Sequence, residues 1–264
     1  MKLLYVGDVM GEVGIEVIER VLPELKRNAK IDIVIAQAEN VTEGKGMDAT
    51  DYQRLKAVGV DGFTGGNHTV SRKEGFGLLE DPSVPVTGPA NMHDSPGPGY
   101  KYIDTPKGKM LIVSLLGKIV GRDADKEVDN PLKTIDQILA RENPHNRVAT
   151  VVNFHGDFSS EKVVIGHYLD GRVTAVIGDH WHVPTADAMV LPKGTAHQTD
   201  VGMCGSLDSS LGVTFNSVIP RWRDDIQTRN VLETKGRRQF NAVLIESDDE
   251  TGLAKTVKAI QKIY

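Results

Sequence analysis

The sequence predicts an α/β fold of two packed β-sheets with helices outside, and three observations carry that reading. Short apolar runs near 2–7, 31–37, 60–64, 148–154 and 173–178 read as buried strands. Stretches with apolar residues at helical spacing lie between them. Each run also ends in residues able to bind a metal: Asp8, Glu39-Asn40, Asn67-His68, His155 and His180-Trp181-His182. In open α/β sheets ligands bind beyond the carboxyl ends of strands, so these residues imply one convergent site.

Strand 2–7 leads through Gly7-Asp8-Val9-Met10-Gly11 into a helix with apolar positions Ile15, Val17, Ile18, Val21, Leu22 and Leu25. Strand 31–37 follows, then a charged glycine loop, Glu43-Gly44-Lys45-Gly46. Asp48 caps a second helix that turns Tyr52, Leu55, Ala57 and Val58 inward. Strand 60–64 ends at Gly65-Gly66-Asn67-His68. This β-α-β-α-β order implies a mixed or parallel sheet. Pro82, Pro85, Pro89, Pro96 and Pro98 make residues 82–99 a loop.

Residues 100–104 and 109–116 read as a hairpin closed by Thr105-Pro106-Lys107-Gly108. A helix near 131–141 and the strand near 148–154 come next. A further helix runs from Ser159-Ser160-Glu161 to about Leu169 and ends at Asp170-Gly171. A second hairpin spans 187–199 with its turn at Pro192-Lys193-Gly194. Val213 to Arg229 reads as a helix interrupted by Pro220, and 239–247 with 253–261 as an antiparallel pair. No linker, repeat or low-complexity tract divides the chain, so residues 1–264 read as a single domain.

A chain of 264 residues can bury a substantial core, and 39% hydrophobic with 25% charged residues is ordinary for a soluble globular protein. A net charge of −5 argues against bulk nucleic-acid binding through backbone phosphates. A small nucleotide remains open, since bound metal ions would add local positive charge. Cys204 is the only cysteine, which rules out an intramolecular disulfide and a thiolate cluster and suits a reducing cytoplasm. The apolar run before Asp8 is too short for a signal peptide, and no segment reaches the ~20 residues of a membrane helix. The chain therefore reads as soluble and cytoplasmic, with no membrane partner.

His180-Trp181-His182 is the strongest local signal, because residues i and i+2 of an extended chain point to one side and imidazole ligates zinc, iron and copper. Taken alone, two unrelated histidines at a strand end are an equal alternative. His155 by itself is more readily a hydrogen-bonded structural residue, and its place beyond a buried strand favours ligation. A helix follows Asp8, so capping competes there, whereas Glu39 is a poorer cap. Gly65 and Gly66 permit unusual backbone angles and close approach. Asn67 can ligate through its amide oxygen and His68 can donate a proton, although a plain glycine turn also fits.

Two divalent ions roughly 3.5–4 Å apart clamp a phosphate and lower the pKa of a bridging water. One bridging carboxylate is then needed, and Glu39 fits. A leaving alkoxide needs a proton from an uncoordinated histidine, a role that His68 fits. Lys45 is a candidate phosphate contact, against the more ordinary reading of a solvated loop lysine. Thr185 and Asp187 are candidates to orient imidazoles. His93, His145, His167 and His197 read as surface or structural, and Cys204 as packing.

The order Gly7-Asp8, Glu39-Asn40, Gly66-Asn67-His68, a lone histidine and Gly178-Asp179-His180-Trp181-His182 resembles the calcineurin-like metallophosphoesterases. The likeness is closer to their YmdB-like bacterial branch. It runs through Gly7-Asp8-Val9-Met10-Gly11, Ala38-Glu39-Asn40, Gly44-Lys45-Gly46, Gly66-Asn67-His68-Thr69, Ser160-Glu161-Lys162 and Leu191-Pro192-Lys193-Gly194-Thr195-Ala196, covering nearly the whole chain. The resemblance implies a four-layer α/β/β/α sandwich with two mixed sheets, two transition-metal ions, and phosphodiesterase activity on cyclic nucleotides, including 2′,3′-cyclic ones. By that resemblance one metal takes Asp8, Glu39, Asn40 and His182, and the other takes Glu39, Asn67, His155 and His180.

Two departures from the broad pattern stand out. Met10 occupies the place of a usual ligand histidine, with Asn40 making up the contact. Thr69 stands where an acidic residue often follows Gly-Asn-His, which leaves the orientation of His68 open. Iron or manganese is favoured and zinc is admissible. The expected reaction is hydrolysis of a 2′,3′-cyclic nucleotide to a 3′-nucleotide, by in-line attack of a metal-activated hydroxide with His68 protonating the leaving oxygen. The alternatives are a phosphomonoesterase or nucleotidase, and a regulatory nucleotide-binding protein with a vestigial site. The expected partner is a small nucleotide or phosphodiester substrate, and a homo-oligomer is compatible with the sequence.

Overall fold

A computed structural model describes residues 1–142 and 147–264, so His145 lies outside the described residues. Strand β1 (Lys2–Val6) runs into the short β2 (Asp8–Val9) and helix α1 (Gly11–Ala29), followed by β3 (Ile33–Gln37), α2 (Ala49–Ala57) and β4 (Gly62–Thr64). A five-residue helix, α3 (Phe76–Glu80), precedes the proline-rich loop. Next come β5 (Tyr100–Thr105), β6 (Gly108–Leu116), α4 (Pro131–Arg141), β7 (Ala149–His155), α5 (Ser159–Tyr168) and β8 (Ala175–Asp179). The chain continues through β9 (Met189–Val190), β10 (Ala196–Gln198), β11 (Met203–Ser206), α6 (Phe215–Asp224), β12 (Arg238–Ser247) and β13 (Ala254–Ile263).

The first sheet has seven strands in the order β2-β11-β12-β1-β3-β4, with β13 also paired to β12; the second has six, in the order β5-β6-β7-β8-β10-β9. Both are mixed. β1, β3 and β4 run parallel, as do β6, β7, β8 and β10. β12 is antiparallel to β1, and the outer strands β5 and β9 join through hairpins.

Alternation along the central strands builds three apolar layers, as the two-residue period of a strand requires. Leu4, Val6, Val34 and Ala36 face α1 and α2 and pack on Ile15, Ile18, Leu22, Tyr52 and Leu55. Leu3, Tyr5, Ile33 and Ile35 face the other way and meet Met110, Ile112, Val151 and Ile177 of the second sheet. Beyond that sheet, Leu111, Val113, Val152 and Val176 pack on Ile135, Ile138 and Ile165 of α4 and α5. Each such buried aliphatic side chain stabilises by about 1.5–3 kcal/mol relative to exposure. The outcome is the four-layer α/β/β/α sandwich.

Asp48 caps α2 by accepting the Asp51 N–H at 2.9 Å, as its position predicts. The strands β2 and β11, which pair in parallel, carried no sequence signal because they are too short for a periodicity to register. The helix expected over 213–229 is shorter. It spans Phe215–Asp224, continues past Pro220, and stops where Asp225 turns left-handed with φ 54°. Among the described residues no helix is long and apolar enough to cross a membrane.

Candidate metal centre

All seven residues read from the sequence as ligands come together with His68 at or just beyond the ends of β1, β3, β4, β7 and β8. Glu39 lies at the middle. Its Oε1 is 3.4 Å from His155 Nε2 and 3.4 Å from His68 Nδ1, and accepts Asn40 Nδ2 at 3.0 Å. Its Oε2 accepts the His68 backbone N–H at 2.9 Å. On one side Asn40 Nδ2 donates to Asp8 Oδ2 at 2.8 Å, and that oxygen is 3.3 Å from His182 Nε2. On the other, His155 Nε2 is 2.8 Å from both Asn67 Oδ1 and His180 Nδ1. Ligating atoms of Glu39, His155 and His180 lie within 4.8 Å of one another.

Local chain geometry makes this crowding feasible. A Cβ on Gly66 would sit 2.3 Å from Glu39 Oε2 and 2.5 Å from His155 Cγ. Close approach is therefore what Gly66 provides; neither it nor Gly65 has a positive φ. The His-x-His segment is not extended as expected. β8 ends at Asp179, and His180 and His182 take φ of 109° and 62°, strained values for residues with side chains. The turn sets His180 against His155 and His182 against Asp8 and Asn40, so both imidazoles reach the site but in different groups of residues. Asp8 does not cap α1, whose N-cap position is Met10. Met10 itself turns away to pack with Met203, Val213, Val218 and Leu232.

Burial alone would push His155 down, but Glu39 and Asp179 outweigh it and raise its pKa to about 9. Burial likewise opposes the charge on Glu39, yet His155, His68 and His180 hold its carboxyl well below the usual range. Burial, with His155 beside it, takes His180 down to about 2. Burial pushes Asp179 up to about 6 against the pull of His155. Buried carboxylates thus draw compensating positive charge onto His155, a need that a divalent cation also answers.

The donor set fits such a cation. Carboxylate, amide and imidazole groups without thiolate suit a divalent transition metal. Asp8 Oδ1 is buried with no hydrogen-bond partner among the described residues, a deficit that ligation would remove. Asn40 turns Nδ2 toward the carboxylates and Oδ1 toward His68 Nδ1 at 2.8 Å. A half-turn of the amide would exchange the two atoms.

Each imidazole is held from outside by residues that sequence reasoning missed. Asp179 Oδ1 is 2.5 Å from His155 Nδ1, Asp157 Oδ1 is 3.1 Å from His180 Nε2, and the Leu211 carbonyl is 3.2 Å from His182 Nδ1. Thr185 and Asp187 do not fill that role. They bond to each other at 2.5 Å, and Asp187 also holds Thr199. Asp123 supplies the carboxylate absent at Thr69: its Oδ2 is 3.6 Å from His68 Nε2 and accepts Asn67 Nδ2 at 2.5 Å. Adjacency to His180 and His155 was a usable signal for Asp179 and Asp157. Asp123 had none.

The remaining candidates fall elsewhere. Lys45 lines a groove of about 1030 Å³ that opens from His68 and is shared with Asp123, Arg221 and Arg229. His93 lies between Glu127 and Asp129 at the surface, His167 is exposed, and buried His197 bonds the Val176 carbonyl at 3.0 Å. Cys204 packs in the core, its thiol pushed up to about 12 by burial.

The sequence model of the YmdB-like protein family matches residues 4–260. A 2′,3′-cyclic-nucleotide 2′-phosphodiesterase of Bacillus subtilis is 35% identical over 262 residues, covering 98% of this chain and 96% of that one. The crystal structure of a hypothetical protein from Thermus thermophilus is similar with TM-score 0.89 and 34% identity, over 100% of this chain and 99% of that one. A novel phosphatase from Mycoplasma pneumoniae gives 0.91 at 31% identity, over 100% and 93%. With a family match over nearly its full length and relatives this similar, the chain belongs to the YmdB-like family.

Proposed function

We propose that this chain is a metal-dependent phosphoric diester hydrolase that opens 2′,3′-cyclic nucleotides to 3′-nucleotides. The observation carrying the reading is the convergence of Asp8, Glu39, Asn40, Asn67, His155, His180 and His182 around one buried point with His68 beside it. The name of the Bacillus subtilis relative supports the substrate class. Asp8, Glu39, Asn40 and His182 would hold one cation, and Glu39, Asn67, His155 and His180 the other, with iron or manganese favoured. When bound, such ions supply Lewis acidity to phosphate oxygens and lower the pKa of a water.

The chain's own residues do the rest. Asp179 and Asp157 fix the rings of His155 and His180 by their distal nitrogens. With its amide turned by half, Asn40 would present Oδ1 to the cation and offer Nδ2 to His68 Nδ1, which would leave the His68 proton on Nε2. The His68 side chain is 26% exposed and lines the groove, where it can donate that proton to the departing 2′-oxygen. Breaking the phosphorus–O2′ bond leaves the phosphate on the 3′-oxygen. The single cysteine suits a cytoplasmic setting.

The test is turnover of 2′,3′-cyclic AMP beside 3′,5′-cyclic AMP and p-nitrophenyl phosphate. Formation of 3′-AMP from the first is expected. Turnover of the monoester alone would replace this reading with a phosphomonoesterase, and no turnover by metal-loaded protein would favour a regulatory role.

A further inference from the structure

Lys162, in the Ser160-Glu161-Lys162 motif of α5, has no part in the chemistry above, yet its side chain is completely buried. A lysine is almost never fully buried unless its charge is paired, so its partners identify its role. Lys162 Nζ donates to the Asp179 carbonyl at 2.6 Å and to Asp200 Oδ2 at 2.9 Å, and lies 3.9 Å from the centroid of the Trp181 ring. Asp200, also fully buried, accepts the Trp181 N–H at 2.9 Å through Oδ2 and the Gly202 N–H at 2.9 Å through Oδ1. Trp181 Nε1 donates to the Asp157 carbonyl at 3.1 Å, and the carboxylate of Asp157 faces His180.

These contacts grip the backbone on both sides of His180 and immediately before His182. Those are the two residues with φ of 109° and 62°. A strained backbone persists only where its surroundings over-determine it.

We infer that Lys162 is a positioning residue which, through Asp179, Asp200 and Trp181, holds His180 and His182 in the strained turn that sets one imidazole against His155 and the other against Asp8 and Asn40. Its consequence for metal affinity rests on the dimetal reading above, whereas its hold on the turn does not. An apolar side chain of similar length would fill the space but hold neither the carbonyl nor the carboxylate.

The deciding variant is Lys162→Met in the full chain, measured two ways. Calorimetric titration of chelator-stripped protein with Mn²⁺ should show affinity weaker by about 10–100-fold. Hydrogen exchange should show the Trp181 amide losing its protection. Ile138→Ala, on the buried face of α4 against the second sheet, is the control for general destabilisation. It should lower the melting temperature while leaving Mn²⁺ affinity and Trp181 protection unchanged. A purely structural Lys162 would behave like that control, and this result would overturn the inference.

If the unsubstituted protein takes up no Mn²⁺, the dimetal reading fails, and exchange at Trp181 still decides the hold on the turn. Should Lys162→Met not fold, Asp200→Asn keeps the size, removes the charge, and carries the same expected directions.

Discussion

Asp8, Glu39, Asn40 and Asn67 belong to the first sheet's side of the site; Asn40 Nδ2 joins Asp8 to Glu39, and Asn67 is the member that leans on a partner behind it, Asp123. His155, His180 and His182 follow strands of the second, and each leans on an outer partner, Asp179, Asp157 or the Leu211 carbonyl. The chemistry of the groups accounts for the contrast. A carboxylate or amide presents its oxygen from a short stem that neighbouring backbone can fix. An imidazole presents one nitrogen and is oriented by what binds the other. The first half of the site should therefore fail through its own residues, and the second through residues behind it.

Chelation tests both halves together and should have the largest effect. Activity should vanish and return with added metal, while the melting temperature falls on stripping. An ion present at 100 times its dissociation constant stabilises by about 2.7 kcal/mol. A melting curve indifferent to chelation would remove the metal from both halves.

Gly66→Ala attacks from the first sheet, driving a methyl group into Glu39 and, across the site, into His155. Turnover should fall to background and elemental analysis should find the metals depleted. Retained turnover would take Glu39 from the centre of the site. His68→Ala should lower turnover by about 10²–10⁴-fold with metal content unchanged, as removal of a proton donor does; unchanged turnover would remove His68 from the mechanism. Asp179→Asn probes the second half and should weaken metal affinity by about 10–100-fold, with turnover recovering at high metal. If it behaves like Gly66→Ala instead, the comparison between the halves breaks.

The same division explains what the sequence disclosed. Ligand candidates stood at the ends of apolar runs, so Glu39 and Gly66-Asn67-His68 were visible as motifs. The outer partners depend on tertiary register. Asp179 meets His155 because β7 and β8 pair His155 with Asp179, and no local pattern encodes that pairing. Asp123 reaches Asn67 from a separate loop, and Lys162 reaches the His-x-His turn from a helix. The layers were legible because their alternation is local, as in Leu3 and Tyr5 against Leu4 and Val6. The left-handed stop at Asp225 was not, since apolar spacing alone does not forbid a longer helix.

The pairing of β1 with β12 sets an order of events during synthesis. Lys2 pairs with Glu246 and Val6 with Ala242, and Asp8 lies on β2, paired to Met203 of β11. Until residues 238–247 have left the ribosome, the apolar strand Leu3 to Val6 lacks a neighbour on one edge. Such distant pairing slows folding, and an open apolar edge invites association between nascent chains. The rim of the first sheet that carries Asp8 is thus among the last parts to close, and the site beyond it is complete only after nearly the whole chain has emerged.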